Sequence, residues 1–277
     1  MHMELVQDFA ALGYDSYRLV PGLDLLVPFD AQSPPDGYLL NLFCCKRDRA
    51  ERLAAQGFLV DSLLLPPITE AERLKDILGK VDNQNAYDWR QTIAKLPYGV
   101  QLAHHWEQTM IEESSAEVDE SLFFYALSRD SSLTSSERFD ALKASFSLLN
   151  TLCKRQPSNL RLASLSRVAR DYGARMLAVN ALNQLSNIFF QHNQVDLSEP
   201  FLAPAERFDS IPPGNAIGNW VMAAVLEENE RLGSFSSFYT GVSAQQRLEI
   251  IRTLGFGSAE MERRLSLLQK RFGLSAS

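Results

Sequence analysis

Four groups of side chains in this 277-residue sequence have types and spacings that could do chemistry. The first is His104-His105-Trp106-Glu107. A helical metal pair needs ligands three or four residues apart on one face. Adjacent histidines point about 100° apart on a helix, and Gln108 is a poor partner for His104, so a structural or surface role is expected and no residue is assigned to a metal. The second is Cys44-Cys45, which is vicinal and lacks the Cys-x-x-Cys spacing of redox and zinc sites; reduced thiols are expected. The third comprises the serine pairs Ser114-Ser115, Ser131-Ser132 and Ser135-Ser136, which fall at helix starts, where serine caps; no nucleophile elbow surrounds them. The fourth is Glu227-Glu228-Asn229-Glu230, which reads as a solvated helix end. No residue is assigned to catalysis or to binding a cofactor.

Two polar features point to binding. Asn180, Asn183 and Asn187 recur at three- and four-residue steps and therefore share one helical face. Asparagine is a poor helix former, so three in register carry a propensity cost. A polar outer face is the plain explanation. The functional one is a row of amides whose paired donors and acceptors hold a partner's backbone, with Tyr172 and Arg175 near one end. The second feature is the set Arg161, Arg167, Arg170 and Arg175, expected as a solvated face balanced by nearby acids, with a phosphate or carboxylate site as the alternative.

These residues must be positioned by helices. Asn159 to Phe190 reads as two helices folded around Gly173, with small and apolar residues at three- and four-residue steps in each. Ala178 is expected where two helices approach closely. Helices are also expected at Asp48–Gln56, Thr69–Val81 behind a Thr69…Glu72 capping box, Ala86–Ala94, Val100–Glu113, Val118–Ser128 and Ser135–Arg155. Asn219–Leu232, Ser243–Leu254 and Ser258–Phe272 complete the series, the last two with serine caps. Residues 197–217 carry four of the twelve prolines and read as an ordered loop anchored by Phe201, Leu202 and Phe208.

Before residue 46 the pattern differs. Met3–Leu12 reads as a helix with Leu5, Val6, Phe9, Ala10 and Leu12 inward. Tyr17–Val20 and Leu23–Phe29 read as strands joined at Pro21-Gly22. Tyr38–Cys44 is a continuous apolar run, expected as a strand buried on both faces with Asn41 hydrogen-bonded inside. The expectation is thus a mostly α protein: a small α/β element at 1–46, then a helical domain at 47–277 with hairpins at about 120–191 and a C-terminal helical cap.

Composition bounds the partners. A net charge of −7 argues against nucleic acid and anionic membranes, and three cysteines cannot build a disulfide framework. No apolar run approaches a membrane span and no charged-then-apolar leader opens the sequence, so a cytoplasmic location is expected.

Residues 120–157 and 158–191 each read helix, break, helix, at roughly the ~34-residue period of tetratricopeptide units. With Gly173 and Ala178 five apart and Pro157 closing the first unit, the pair resembles a degenerate tetratricopeptide-like array. The runs PSNLRLASLSRVARDYG (157–173), EPFLAPAERFDSIPPGNAIGNW (199–220) and FSSFYTG (235–241) with LGFGSAEMERR (254–264) are similar to a tail of bacterial, especially cyanobacterial, sugar-modifying proteins. LGYDSYRLVPG (12–22) and YLLNLFCCKRDRA (38–50) resemble the end of an FkbM-type S-adenosylmethionine-dependent methyltransferase domain. That class holds its cofactor at a glycine-rich turn, which this sequence lacks; Asp24 and Asp36 alone mean little. The resemblance implies a non-catalytic helical binding or assembly module tied to glycan or cell-surface sugar modification. Its partner would be a protein or peptide, including a sugar-modifying enzyme, and no cofactor is expected. The alternative is the C-terminal part of a methyltransferase or glycosyltransferase, with S-adenosylmethionine bound by a catalytic half encoded upstream.

Overall fold

A computed structural model describes residues 3–32, 36–38, 41–60, 70–80, 93–109, 116–192, 197–233 and 242–271. The described residues are mostly helical, with one three-stranded antiparallel sheet of order β2-β1-β3. In chain order the elements are α1 (Met3–Ala11), β1 (Tyr14–Val20), β2 (Leu25–Pro28), β3 (Phe43–Lys46), α2 (Arg47–Ala55), α3 (Glu70–Lys80), α4 (Pro97–Thr109), α5 (Ala116–Ser128), α6 (Ser135–Arg155), α7 (Asn159–Tyr172), α8 (Arg175–His192), α9 (Ile217–Gly233), α10 (Val242–Thr253) and α11 (Ala259–Arg271). No described helix is long and apolar enough to cross a membrane. The chain divides into two compact units with interleaved segments. Unit one takes Met1–Thr92, Glu112–Gln156 and Val168–Leu177; unit two takes Ile93–Ile111, Pro157–Arg167 and Ala178–Ser277. Strand gives way to helix at Lys46, as expected, but compactness does not divide the chain there.

In unit one, β1 pairs with β2 in the register Leu19↔Leu26 and with β3 in the register Tyr17↔Phe43. Tyr17 packs with Ala50 of α2 and with Leu59, so α2 covers one face of the sheet. α5 and α6 form a hairpin, tied by the Ser145 hydroxyl donating to the Ser121 carbonyl at 2.8 Å. Ile77 of α3 joins Phe124, Leu127, Ala141 and Ala144 in the apolar cluster that α5 and α6 build. A capping box opens α6: Thr134 accepts from the Glu137 N–H while Glu137 accepts from the Thr134 N–H. The box expected at Thr69 lies outside the described residues, as does most of the helix expected at Ala86–Ala94.

The other side of β1 grips the elbow between α7 and α8. Gly173 closes α7 at φ +94°, with Ala174 N–H reaching back to the Ala169 carbonyl at 2.8 Å. That left-handed residue terminates the helix without a Cβ penalty. A Cβ on Gly173 would lie 3.0 Å from the Leu19 carbonyl oxygen. Arg18 donates to the Tyr172 carbonyl at 2.7 Å and lies over the Tyr172 ring. Gly22 N–H donates to the Asp171 carbonyl at 2.9 Å. Asp36 accepts from the Met176 N–H at 2.9 Å, in the first turn of α8 and 140 residues away in sequence. An aspartate there satisfies an otherwise orphan donor and favours the positive end of the helix dipole. The sequence reading gave Asp36 no role because this cap is made across space.

Two expectations for the N-terminal element are corrected. Tyr38–Cys44 is not a central strand: Tyr38 lies in a turn, β3 begins only at Phe43, and β3 is an edge strand with Phe43 exposed. Asn41 is exposed and needs no buried partner. Apolarity marked a strand correctly but not its place in the sheet, which pairing decides. α1 buries none of its residues, and Leu5 and Leu12 are exposed, so its apolar face is not turned inward within the described residues.

Unit two is built on an aromatic cluster. Tyr98 of α4 lies 4.8 Å from Trp220 of α9 and 5.5 Å from Phe201, ring centre to ring centre. The Tyr98 hydroxyl donates to the Phe201 carbonyl, Trp106 to the Leu197 carbonyl and Trp220 to the Ile211 carbonyl. Buried indole and phenol groups thus fix the proline-rich segment at 197–217, whose expected anchors Phe201, Leu202 and Phe208 are all buried. Ala178 is fully buried. Ser258 caps α11 as expected, accepting from the Met261 N–H, whereas Ser243 lies inside the first turn of α10.

The Gly22 contact yields a direct check. A Cβ there would sit 2.4 Å from Asp171 Cβ. Gly22→Ala should cost about 1–3 kcal/mol in thermal unfolding. Gly79→Ala, where a Cβ meets nothing, should gain roughly 0.5–1 kcal/mol from helix propensity.

Candidate functional site

The residues expected to bind a partner fall into two places. Asn180, Asn183 and Asn187 are exposed on α8 in unit two, together with Gln184. From Met176 to Gln191 the helix carries no charged side chain. Asn229 of α9, itself buried, donates through Nδ2 to Asn183 Oδ1 at 2.9 Å. That bond engages one lone pair of the Asn183 oxygen and ties its side chain to α9.

Tyr172 and Arg175 belong to the elbow of unit one. Tyr172 stacks on Phe146 at 4.6 Å and on Phe139 at 5.9 Å, and the Arg175 guanidinium lies 5.6 Å from the centre of the Tyr38 ring. Such stacks are each worth about 0.5–1.5 kcal/mol beyond the area they bury. Both residues therefore carry structural contacts at the elbow.

The acidic run read as a solvated helix end is buried, as are Arg161 and Arg167 of the arginine set, while Arg170 and Arg175 are half-buried; this is the largest correction. Glu227, Glu228, Asn229 and Glu230 of α9 are all buried. Glu227 takes Arg207 in a forked pair, with Nη2 at 2.6 Å and Nε at 2.9 Å. The same guanidinium donates to the Phe256 carbonyl. Glu230, 1% exposed at its side chain, accepts Arg247 of α10 at 2.7 Å on Oε2 and Arg264 of α11 at 2.6 Å on Oε1. One carboxylate thus ties two helices to α9.

The arginine set follows the same rule. Arg161 forks onto Glu199, with Nη2–Oε2 at 2.9 Å, and the Ser158 hydroxyl donates to the same carboxylate at 2.6 Å. Arg167 donates to Asp209 at 3.0 Å and to the Ala203 carbonyl. In unit one, Arg170 and Arg129 both pair with Asp171, which also accepts the Tyr125 hydroxyl at 2.8 Å. Nearby acids balance these arginines as expected, but Arg161 and Arg167 meet theirs in buried pairs and not on a solvated face. The sequence signal was present as matched numbers of arginines and acids in 155–265, but helical spacing alone does not report which face is covered.

The remaining chemical groups lie apart. His104 and His105 are exposed, and His104 Nε2 contacts Gln108 Nε2 at 3.0 Å. Among the described residues no group of three histidines, cysteines or carboxylates could hold a metal. Cys44 lies 3.5 Å from the Ser16 hydroxyl. Burial, and then the nearby Asp15 charge, push the Cys45 thiol above its usual range, which keeps it protonated and slow as a nucleophile.

Removing the charge of Glu230 leaves two guanidiniums facing a neutral amide in a mostly buried place. Glu230→Gln should cost roughly 3 kcal/mol in chemical unfolding. Glu51→Gln breaks only the exposed pair with Arg47 and should cost under about 0.5 kcal/mol. Comparison with protein-family models, with curated proteins and with solved structures finds no match for this chain.

Proposed function

We propose that this chain is a non-catalytic helical binding or assembly module. It holds a protein or peptide partner on the amide face of α8, in the cytoplasm, in the service of glycan or cell-surface sugar modification. The observation that carries this reading is the exposed row Asn180, Asn183 and Asn187, with Asn183 fixed by the buried Asn229. An amide held from behind loses little side-chain freedom when it meets a partner, which lowers the cost of binding. The buried ion pairs support the same reading: Glu199, Glu227, Glu230 and Asp171 are each bonded to arginines that brace helices. Their role is to hold a scaffold. The likeness of residues 157–173, 199–220 and 254–264 to a tail of sugar-modifying proteins supports an enzyme of that kind as the partner.

Asn180 and Asn187 are exposed, so the double variant Asn180→Ala, Asn187→Ala should melt within about 0.5 kcal/mol of the parent. It should lose capture of the parent's partner in a pull-down; retained capture would move the binding surface elsewhere. In calorimetry the chain should give no binding heat with S-adenosylmethionine or with a nucleotide sugar. Micromolar affinity for either would overturn the non-catalytic reading in favour of the methyltransferase or glycosyltransferase alternative.

A further inference from the structure

We infer a binding site for a phosphoryl group in unit two, where Arg247 of α10 and Arg264 of α11 meet on Glu230 of α9. The site uses none of the asparagines of α8, so it stands or falls separately from the function proposed above. The Glu230 carboxylate takes Arg247 through Nε at 3.0 Å and Nη2 at 2.7 Å, both on Oε2, and Arg264 through Nη2 at 2.6 Å on Oε1. One buried anion thus faces two cations, and one positive charge is left over. The neighbouring acids do not cancel it. Glu227, one turn earlier on α9, is matched by Arg207. Glu228 projects from α9 about 160° away from Glu230. On α11, Glu262 pairs with Arg252, and Glu260 is exposed and forms no ion pair with Arg264 among the described residues.

The other place where two arginines share one carboxylate handles its surplus differently. At Asp171, Arg129 also donates to the Gly22 carbonyl and the Tyr125 hydroxyl, so neutral acceptors of the chain take up its donors. At Glu230, neither guanidinium donates to any other group among the described residues. Both Nη1 hydrogens of Arg247 remain unused, as do Nε–H and both Nη1 hydrogens of Arg264. Arg264 is only 15% exposed at its side chain and Arg247 26%, so these donors are fixed from behind and partly shielded from water. Donors held in place lose little freedom on binding, and partial burial strengthens their pull on an anion. A phosphoryl group brings three strong acceptor oxygens, enough to meet both guanidiniums at once, whereas a carboxylate brings two.

The test titrates the full 15N-labelled chain at constant ionic strength with inorganic phosphate, glycerol 3-phosphate and acetate, following the arginine Nε–H resonances. Saturable shifts of Arg247 and Arg264 are expected with phosphate, its ester or both, about ten-fold tighter than with acetate. A response to the ester alone identifies an esterified ligand, and an equal response to both identifies the phosphoryl group itself. Arg264→Gln leaves Glu230 matched by Arg247 alone; it should keep the backbone spectrum and weaken phosphate binding about ten-fold. Arg263→Gln removes the same charge from the exposed neighbouring residue and should leave affinity within about two-fold. If Arg264→Gln loses its fold, Arg264→Lys takes its place: it keeps the charge, gives up the planar fork and should still weaken binding. No saturable shift, equal binding of acetate, equal losses in the Arg263 and Arg264 variants, or unchanged affinity in Arg264→Lys overturns the inference.

Discussion

An ionised carboxylate taken out of water loses several kcal/mol of hydration unless a cation and further hydrogen bonds replace it. Both units of this protein meet that requirement with arginine. In unit one, Asp171 sits between Arg129 and Arg170 and takes the Tyr125 hydroxyl as well. In unit two, Glu199, Glu227 and Glu230 are held by Arg161, Arg207 and the pair Arg247 and Arg264. Arginine suits this work because its planar fork meets both carboxylate oxygens at once and its charge does not titrate. Such pairs are weak evidence of stability relative to an apolar core of the same volume. Removing one partner of such a pair leaves an uncompensated buried charge, which is strongly destabilising.

The elbow at Gly173 shows the same economy with neutral groups. Three contacts from the N-terminal element meet there: Gly22 on the Asp171 carbonyl, Arg18 on the Tyr172 carbonyl, and Asp36 on the Met176 N–H. The first two satisfy carbonyls at the end of α7, and the third satisfies a donor at the start of α8, so the small sheet supplies what both helix termini lack. A small three-stranded sheet needs an apolar face to bury or a helix to pack against. Here it is stabilised by α2 on one face and consumed as a clamp on the other. That places Tyr172 and Arg175 in structural work, and leaves the amides farther along α8 as its outward chemistry.

Helical periodicity, glycine stops and serine or threonine caps are local, and most of the architecture followed from them. α5, α6, α7, α8 and α9 lie close to where three- and four-residue spacing put them, and Gly173 ends α7 because only a residue without a Cβ enters that backbone region cheaply. The strands of the N-terminal element were legible as apolar runs beside the turn at Pro21-Gly22. That the three asparagines share one face was legible too, because side chains at three- and four-residue steps line up whatever surrounds the helix.

What periodicity cannot report is which face is covered and by what. Glu227 and Glu230 lie in a run that reads as solvent-facing, yet Arg207, Arg247 and Arg264 arrive from three other segments and make the burial of these two carboxylates tolerable. Tyr38–Cys44 is as apolar as a central strand, yet β3 sits at the edge because β1 has β2 on its other side. Asp36 caps a helix 140 residues away. Each of these depends on a partner brought near by the fold, and desolvation and pairing are properties of that neighbourhood. The amino-acid order determined where helices begin, turn and end; only the tertiary structure decided which charges were buried and which amides were left facing out.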